Sequence, residues 1–431
     1  MTRPSPAAVL FLGVLLLGPG GTPAGATAPP LAPAQVTFEE GARLLSDLYI
    51  NRSPVDVGLQ VTAFRSRLAV VCRDRPADCP VDDGIEALRG LYGSIGDTHL
   101  FVLGREAFER GLAQATSSPP VRDTFGLVFG VSDETAAVVM DVLPGSAAVQ
   151  AGIHAGDIVQ VIGESFAVHD VDLEAEVVLR VRRGKDEREV RLVRTRVPSQ
   201  RQPQLYTPTG SRGDVAVLRI PTFVTGPGHT TGLAVHGLIP SAGDQGVRAL
   251  VIDLRAGAGG SGAECISAAG AFIGPFAFQA HTRRGVFEAG WDGAQSRLWE
   301  RAFADVSPPV LPDPVPLQAA QVARWSGRAV VLVNRWTASC HELMAFLLQR
   351  SGVPVVGEPT AGDLDTGSLL MPLAGGGAVG VAVVRNVTAD GQPFPIKVTP
   401  DVPVTEDPAL LLATGEDRLL EAALSVVTAD E

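Results

Sequence analysis

The sequence predicts an α+β multidomain protein with a helical N-terminal region, a middle domain of short β-strands and an α/β core. Its 431 residues, 45% of them hydrophobic, are enough to bury more than one core. The hydrophobic pattern also changes twice along the chain. Helical spacing gives way to short alternating runs, and these give way to continuous apolar runs separated by helical stretches. Two or three domains are therefore expected.

The first 26 residues have the features of a secretory signal peptide. One Arg precedes an apolar run from Ala7 to Leu17, and the segment ends in an A-x-A-like cleavage site at Ala24 to Ala26. The run is shorter than the ~20 residues of a membrane-spanning helix, and an uncleaved membrane anchor is the alternative. We expect an exported protein, periplasmic or extracellular after cleavage near Ala26, with residues 27–36 as a linker. Membrane contact is expected only if the segment stays uncleaved.

Residues 37–118 are expected to form a helical domain. Thr37 offers an N-cap with Glu40 three residues later, and helix-spaced Leu residues follow. Further amphipathic segments carry this region to about residue 115, and its last feature is the stretch GDTHL, residues 96–100. The sequence therefore places a histidine, His99, near the end of a helical region.

The chain has four cysteines, and two of them are predicted to pair. Cys72 and Cys79 flank the turn-prone segment RDRPAD, so we expect a local disulfide between them in an oxidising compartment. For Cys265 and Cys340 the simplest interpretation is a pair of free, buried thiols. Neither a C-x-x-C motif nor a His pair at ligand spacing occurs, so no metal site is predicted.

Residues 122–198 carry alternating short strands that end in a hairpin with the tip GKDE. Between the strands, PGSAAVQAGIHAGDIVQVIG resembles the "PGSPAxxAGLxxGDxIxxING" stretch of PDZ domains. This resemblance implies that FGLVFG supplies a carboxylate-binding loop, with Gly126 and Leu127 as the peptide-binding residues. A purely structural or regulatory insert is the alternative.

Residues 210–431 alternate continuous Val/Ile/Leu runs with helical stretches, as expected for strands covered on both faces in an α/β core. Two loops there follow predicted strands and precede helices, the position at which open α/β sheets bind ligands. The first is DLRAGAGGSG, residues 253–262, and the second lies within NRWTASCHE, residues 334–342. We expect them to form one site, in which loop N–H groups face a developing oxyanion.

Four motifs in order resemble those of the tail-specific, or C-terminal processing, serine protease family. They are LVIDLRAGAGG, VLVNRWTASCHE, VVGEPTAGD and KVTPDVPV, against the family's "LILDLRxNxGG", "VLVNxxTASASE", "VVGExTxGK" and "GIxPDxxV". The resemblance covers about residues 90–425 and implies a ClpP/crotonase-like core without a cofactor. By position Ser339 matches the nucleophile, and the implied oxyanion hole consists of the N–H of Cys340 and that of Gly259 or Gly260.

The general base departs from this pattern. The processing branch uses the Lys of "GExTxGK", but this chain has Asp363 there, which cannot act as a neutral lysine does. GDTHL resembles the "DxH" stretch of the tricorn branch, which implies His99 as the base. That branch also orients the imidazole with an acidic residue late in the chain, for which Asp401 and Asp365 are the candidates.

Other interpretations of the same residues remain open. Ser339 is alternatively a helix N-cap without catalysis, and Cys340 is alternatively a nucleophile in its own right. His341 begins the helix HELMAFLLQR and is expected to point away from the tip of the loop, in a packing role.

The sequence therefore predicts an exported serine endopeptidase that cleaves unstructured protein tails, with protein or peptide substrates as its partners. The alternative is a catalytically inactive binding protein of the same fold, which takes peptides or apolar ligands. A formal net charge of −12 and the lack of a Lys/Arg-dense run argue against nucleic acid as a partner. The sequence makes no prediction of the oligomeric state.

Overall fold

The computed structural model of the chain describes residues 31–50, 52–116, 121–132, 136–162, 174–198, 201–208, 213–226, 229–306 and 316–429. The predicted signal peptide, residues 1–26, and the first part of the predicted linker lie outside these ranges. Within them, no helix is both long enough and apolar enough to cross a membrane.

The N-terminal region is helical and consists of α1 (Pro33–Leu48), α2 (Val57–Val71), α3 (Val81–Ile95), the short strand β1 (Phe101–Leu103) and α4 (Arg105–Thr116). The prediction that Thr37 caps the first helix was wrong, because α1 begins at Pro33. Proline is favoured in the first turn, where its missing N–H costs no hydrogen bond. Thr37 is instead buried inside α1, and its hydroxyl donates to the carbonyl of Pro33 at 3.0 Å.

The predicted disulfide between Cys72 and Cys79 is confirmed, with the two Cα atoms 5.3 Å apart. Cys72 is the C-cap of α2, and Cys79 lies two residues before α3. Both residues are buried, so the bridge ties the turn between these helices to the core of the N-terminal region.

The middle of the chain is a five-stranded antiparallel sheet with one short helix. Its elements are β2 (Val121–Thr124), β3 (Leu127–Ser132), β4 (Ala136–Val142), α5 (Ala147–Gln150), β5 (Ile158–Val161), β6 (Glu176–Arg183), β7 (Asp186–Val193) and β8 (Thr195–Pro198). The sheet runs in the order β3-β4-β5-β6-β7, and β2 pairs separately with β8. The predicted hairpin corresponds to β6 and β7, where Arg183 pairs with Asp186 at the turn.

The C-terminal half is a mixed α/β unit. Its elements are β9 (Gln204–Tyr206), β10 (Val215–Arg219), β11 (Thr225–Gly226), β12 (His229–Thr230), α6 (Thr231–Asp244), β13 (Ala249–Asp253), α7 (Gly262–Ile273), β14 (Phe276–Thr282), β15 (Gly285–Trp291), β16 (Ser296–Arg297), β17 (Arg328–Val333), α8 (Cys340–Arg350), β18 (Val355–Gly357), β19 (Thr366–Pro372), β20 (Ala378–Thr388), β21 (Val402–Pro403), α9 (Pro408–Thr414) and α10 (Arg418–Thr428).

One sheet of this unit has the order β21-β18-β17-β13-β10-β9 and is parallel except for β9. Helix α10 covers one face of it, where Leu419, Ala423 and Val427 pack on inward-facing strand residues. On the other face the strands share a core with α6, α7 and α8. Because both faces are covered, the strands are continuous apolar runs, as the sequence predicted.

A second, antiparallel sheet joins the N-terminal region to the C-terminal half. Its order is β1-β20-β14-β15-β16, and β19 also pairs with β20. Strand β1 pairs with β20 through Phe101 opposite Gly380. Since His99 lies two residues before β1, this pairing fixes the position of a remote histidine against the C-terminal half.

The middle sheet contacts the C-terminal half through α9. Leu411 of α9 packs on Val138 of β4 and Ile158 of β5. The guanidinium of Arg182 donates to the carbonyls of Leu412 and Ala413 near the end of α9. The positive guanidinium of Arg182 therefore lies at the C-terminal end of α9, where the last carbonyl groups of a helix lack intrahelical donors and attract a cation.

Candidate active site

Three loops meet beyond the carboxyl ends of parallel strands, as expected for a ligand site in an open α/β sheet. They follow β13, β17 and β18 and comprise residues 254–261, 334–339 and 358–365. The N–H of Ala338 donates to the carbonyl of Gly257 at 2.8 Å, and that of Ala361 donates to the carbonyl of Thr337 at 2.9 Å. The two predicted loops therefore form one site, and the third loop completes it.

Ser339 lies at the N-cap of α8 with φ of 56°. Besides Ala256, it is the one non-glycine residue of the described chain with positive φ. Such a backbone costs about 1–3 kcal/mol and persists at sites where the surrounding structure imposes it. Ser339 also forms a capping box with Glu342, so its position suits both an N-cap and a nucleophile.

The buried carboxylate of Glu342 holds the Ser339 loop against the third loop. One oxygen, Oε2, accepts from the N–H of Ser339 at 2.9 Å and from that of Asp363 at 2.8 Å. The other, Oε1, accepts from the hydroxyl of Thr360 and from the N–H of Gly362. Burial raises the pKa of Glu342, and these four hydrogen bonds act in the opposite direction.

Glu342 was not among the predicted site residues, although its signal is local. A Ser followed three residues later by Glu is the pattern of a capping box, in which the Glu side chain accepts from the N-cap backbone N–H. Here the same carboxylate also binds the third loop, and a local pattern cannot show that.

The predicted oxyanion donors are Cys340 together with Gly259 or Gly260. The N–H of Gly259 donates to Nδ1 of His341 at 3.0 Å, so this glycine is engaged elsewhere and does not suit the role. The N–H groups of Gly260 and Cys340 have no partner within the described ranges. Cys340 is the first residue of α8, where N–H groups are left without intrahelical acceptors. The geometry therefore leaves Gly260 and Cys340 as the available pair.

The two thiols near Ser339 are free. Cys340 Sγ donates to the carbonyl of Gly260 at 3.1 Å, and Cys265 Sγ donates to the carbonyl of Cys340 at 3.0 Å. Burial raises the pKa of Cys265 well above its usual range. Because the thiol of Cys340 is bonded to the neighbouring loop, this arrangement does not favour Cys340 as a nucleophile, although the residue is only half-buried.

His99 lies on the side of the third loop, buried to 7% exposure. Its Nδ1 is 2.7 Å from Oγ1 of Thr366, and its backbone N–H donates to Asp97 at 3.0 Å. The second ring nitrogen, Nε2, has no hydrogen-bond partner among the residues that the structure describes. Asp97 also accepts from the hydroxyl of Tyr49 at 2.9 Å, which fixes the stretch that carries His99.

Burial lowers the pKa of the His99 imidazole below its usual 6.5. The carboxylates of Asp363, Asp97 and Asp365 act in the opposite direction, and Asp363 is the strongest of them. The guanidinium of Arg52 lowers the pKa further. The balance favours a neutral imidazole, the form in which a histidine accepts a proton.

Asp363, the residue at the expected lysine position, belongs to this histidine cluster. Its carboxylate accepts a hydrogen bond from the hydroxyl of Thr98 and lies 3.5 Å from Arg52. Since its N–H is bonded to the same Glu342 oxygen as the N–H of Ser339, Asp363 connects the serine loop to the segment of His99.

Neither predicted orienting acid bonds to the imidazole. Asp401 is exposed and its carboxylate accepts from the N–H of Val355 at 2.8 Å, at the amino end of β18, so it does not orient His99. Asp365 is buried 3.3 Å from Arg52 and acts on His99 only through its charge. The partner at Nδ1 is the hydroxyl of Thr366, for which the sequence has no local signal.

In the middle domain, Gly126 lies in the left-handed region with φ of 85° and its N–H donates to Oγ1 of Thr124 at 3.0 Å. Leu127 is buried in the core of this domain. Among the strands that the structure describes, β3, which begins at Leu127, stands at one end of the sheet order.

Comparisons with known proteins agree with this architecture. Residues 214–404 match the family model of Peptidase family S41. A candidate S41 protease from Bacteroides fragilis NCTC 9343 has a similar structure, with a TM-score of 0.56 and 14% identity over 94% of this chain and 100% of that one. A lipoprotein from Streptococcus agalactiae aligns with a TM-score of 0.53 and 11% identity over 93% of this chain and 98% of that one.

At such low identities the structural likeness concerns the fold alone. A search by sequence found no match among curated proteins. The motif order, the loops around Ser339 and the family match all concern the same segment of the chain. Residues 214–404 of the chain therefore match peptidase family S41, a family of serine peptidases.

Proposed function

We propose that the protein is a serine endopeptidase in which Ser339 is the nucleophile and His99 the general base. The observation that carries this proposal is the position of Ser339, at the N-terminus of α8 with φ of 56° and beside two N–H groups without partners in the described ranges. A nucleophile there gains from the helix dipole and from oxyanion donors that need no rearrangement.

In the proposed reaction the Ser339 hydroxyl attacks a peptide carbonyl while Nε2 of His99 takes its proton. The carbonyl oxygen becomes an oxyanion that the N–H groups of Gly260 and Cys340 bind. His99 then gives the proton to the leaving amine, and water hydrolyses the acyl-enzyme by the same route in reverse. Thr366 holds the ring by accepting from Nδ1–H, which leaves Nε2 free to act as the base.

A fluorophosphonate probe tests this proposal, because it labels an activated serine covalently. We expect labelling of the wild type at a pH where histidine is neutral, and none in Ser339→Ala or His99→Ala. Ser241→Ala, a half-buried serine of α6, and His154→Ala, an exposed histidine of the middle domain, are matched controls that should label normally. A wild type that neither labels nor cleaves an unfolded protein would support the inactive binding protein instead.

The proposed substrates are unstructured protein tails, held by a PDZ-like middle domain. Support comes from β3, which is an end strand in the order of the described sheet, the position at which an added peptide strand can pair. The N–H of Gly126 is bonded to Thr124 in this structure, so peptide capture would have to displace that hydrogen bond. The inactive Ser339→Ala protein should bind a peptide with a free C-terminal carboxylate more tightly than its C-terminal amide. Equal affinity would argue for a structural insert.

The protein is proposed to act outside the cytoplasm. The support is the sequence of residues 1–26, which lie outside the described ranges. In cells that make the full chain, the exported form should begin at Thr27. Recovery of an intact N-terminus in the membrane fraction would indicate the uncleaved anchor instead.

A further inference from the structure

His341 follows the catalytic serine by two residues, and its side chain turns back towards the oxyanion loop. The residue is fully buried at the start of α8. The sequence predicted that it would point away from the tip of the loop. The structure places the ring under residues 257–260 instead, where the N–H of Gly259 bonds to Nδ1.

Both ring nitrogens of His341 are used, which fixes one neutral tautomer. Nδ1 accepts from the N–H of Gly259 at 3.0 Å, so it must carry a lone pair. Nε2 must then carry the proton, and it lies 3.0 Å from the carbonyl of Ile220, to which it donates. The ring thus joins the end of β10 to the loop after β13.

The next peptide unit, between Gly259 and Gly260, is held by Phe223 and not by His341. The N–H of Phe223 donates to the carbonyl of Gly259 at 3.2 Å. In a trans peptide the N–H points away from the carbonyl of the same plane, so the N–H of Gly260 is directed away from Phe223. His341 and Phe223 therefore fix two successive peptide planes, and the second ends in the proposed oxyanion donor.

The ring has little room to rotate. The ring centroids of His341 and Phe223 are 4.5 Å apart. Gly257 also contacts the imidazole ring of His341. A Cβ atom on Gly257 would come within 2.1 Å of Cδ2 of the imidazole. A glycine at this position is therefore required for the histidine to pack, and the two residues together determine the course of the loop.

We propose that His341 is a positioning residue of the oxyanion hole, which holds Gly259 so that the N–H of Gly260 faces the reacting carbonyl. The proposal rests on the serine peptidase function proposed above. The imidazole does not touch the substrate and acts through the two glycines. It needs the neutral ring, because an imidazolium has no lone pair at Nδ1 to accept from Gly259.

The surroundings keep the ring neutral. Burial lowers the pKa of His341 to about 4. The carbonyl of Ile220 and the carboxylate of Asp253 raise it, whereas the guanidinium groups of Arg201 and Arg219 lower it. The acceptor for Gly259 is therefore present throughout the pH range in which His99 can act as a base.

Two substitutions separate the two hydrogen bonds of the ring. In His341→Asn the side-chain oxygen takes the place of Nδ1 and can still accept from Gly259. In His341→Gln the amide nitrogen takes the place of Nε2 and can still donate to Ile220, but the acceptor for Gly259 is lost. The pair thus distinguishes positioning of the loop from general packing.

Peptide hydrolysis is measured for the full chain and both variants, together with fluorophosphonate labelling and urea unfolding. We expect His341→Gln to lower kcat by about 10–100-fold with KM changed less than about twofold, since loss of a whole oxyanion donor costs about 10²–10³. His341→Asn should retain most of kcat. An equal loss in both variants, in an active wild type, would overturn this inference alone.

A wild type without labelling or cleavage would overturn the proposed function, and this inference with it. Should both variants fail to fold, amide hydrogen exchange of the wild type decides the matter. The amide of Gly259 should then be protected and that of Gly260 should exchange fast. Fast exchange at Gly259 would show that the hydrogen bond to His341 does not hold the loop.

Discussion

The hydroxyl of Thr98 donates a hydrogen bond to the carboxylate of Asp363. The residue that stands where the processing branch has its lysine is therefore attached to the segment of the proposed base. A negative charge beside His99 stabilises the imidazolium that forms when the serine is deprotonated. Asp363 and His99 are thus parts of one arrangement, which the following predictions test.

Asp363→Asn removes the largest charge that raises the pKa of His99 and leaves an oxygen that can accept from Thr98. The pKa of His99 should fall further below 6.5. The base then stays neutral to lower pH, so the acidic limb of the kcat/KM profile should move to lower pH, while kcat falls because the imidazolium is less stable. Asp401→Asn, with its carboxylate at the amino end of β18, is the control and should not move the limb. If the acidic limb of the kcat/KM profile of Asp363→Asn stayed at the same pH or moved to higher pH, the assignment of His99 as the base would be contradicted.

Asp363→Lys tests whether a Ser/Lys dyad like that of the processing branch can work in this chain. In this cluster a cation replaces the carboxylate beside His99 and lies near Arg52. We expect less activity than in Asp363→Asn, measured as the rate of peptide hydrolysis near pH 8. A rise in activity would show that a lysine can serve Ser339 and that His99 is dispensable.

Thr366→Val removes the hydroxyl at Nδ1 of His99 with little change of volume. One hydrogen bond is worth about 1 kcal/mol, so kcat should fall by about 5–10-fold. Thr366→Ser retains the hydroxyl and should keep most of the activity. Steady-state kinetics of both variants give the answer, and equal losses would mean that the methyl group, and not the hydroxyl, is what matters.

Glu342→Gln replaces one of the two carboxylate oxygens by an amide nitrogen, which cannot accept. The loop then loses either the hydrogen bonds of the Ser339 and Asp363 N–H groups to Oε2 or that of the Gly362 N–H to Oε1. We expect a loss of about 1–3 kcal/mol in the free energy of unfolding in urea, together with slower fluorophosphonate labelling. Glu264→Gln is the matched control, because Glu264 is another buried carboxylate that accepts from the backbone N–H of Gly232. It should lose stability and still label at the rate of the wild type.

His341 should make the protein less stable in acid. The unfolded chain binds a proton at this residue near pH 6.5 and the folded protein only near pH 4. Stability therefore falls as the pH falls through this window, by about 3 kcal/mol in total, and levels off below it. Urea unfolding of the wild type and of His341→Asn at several pH values measures the effect, because the Asn variant lacks this titration. Parallel curves for the two proteins would contradict it.

The disulfide can be tested by intact mass. Alkylation of the urea-unfolded chain without reductant should modify two cysteines, Cys265 and Cys340, and none of the pair Cys72 and Cys79. Replacing both paired cysteines by Ser should cost about 2–3 kcal/mol of unfolding free energy, because the loop they close is short. Four alkylated thiols in the unfolded, unreduced chain would refute the bridge.

The sequence by itself determined the features that depend on neighbouring residues. The strand-loop-helix order around Ser339, the covered parallel strands, the helical N-terminal region and the disulfide across a seven-residue separation all follow from local patterns. The resemblance of four ordered motifs predicted Ser339 as the nucleophile, and that of GDTHL predicted His99 as the base; both roles stay predictions. Asp401 was mistaken for a possible orienting acid, because sequence order does not show at which end of a strand a side chain lies.

Only the tertiary structure decided the partners that come from distant segments. Thr366 meets His99 across 267 positions of sequence, and His341 reaches Ile220 across 121. The hydrogen bond from Gly259 to His341 distinguishes two adjacent glycines that the sequence leaves equivalent. The direction of a side chain and the use of each backbone N–H depend on how the sheets and loops pack, which no local pattern specifies.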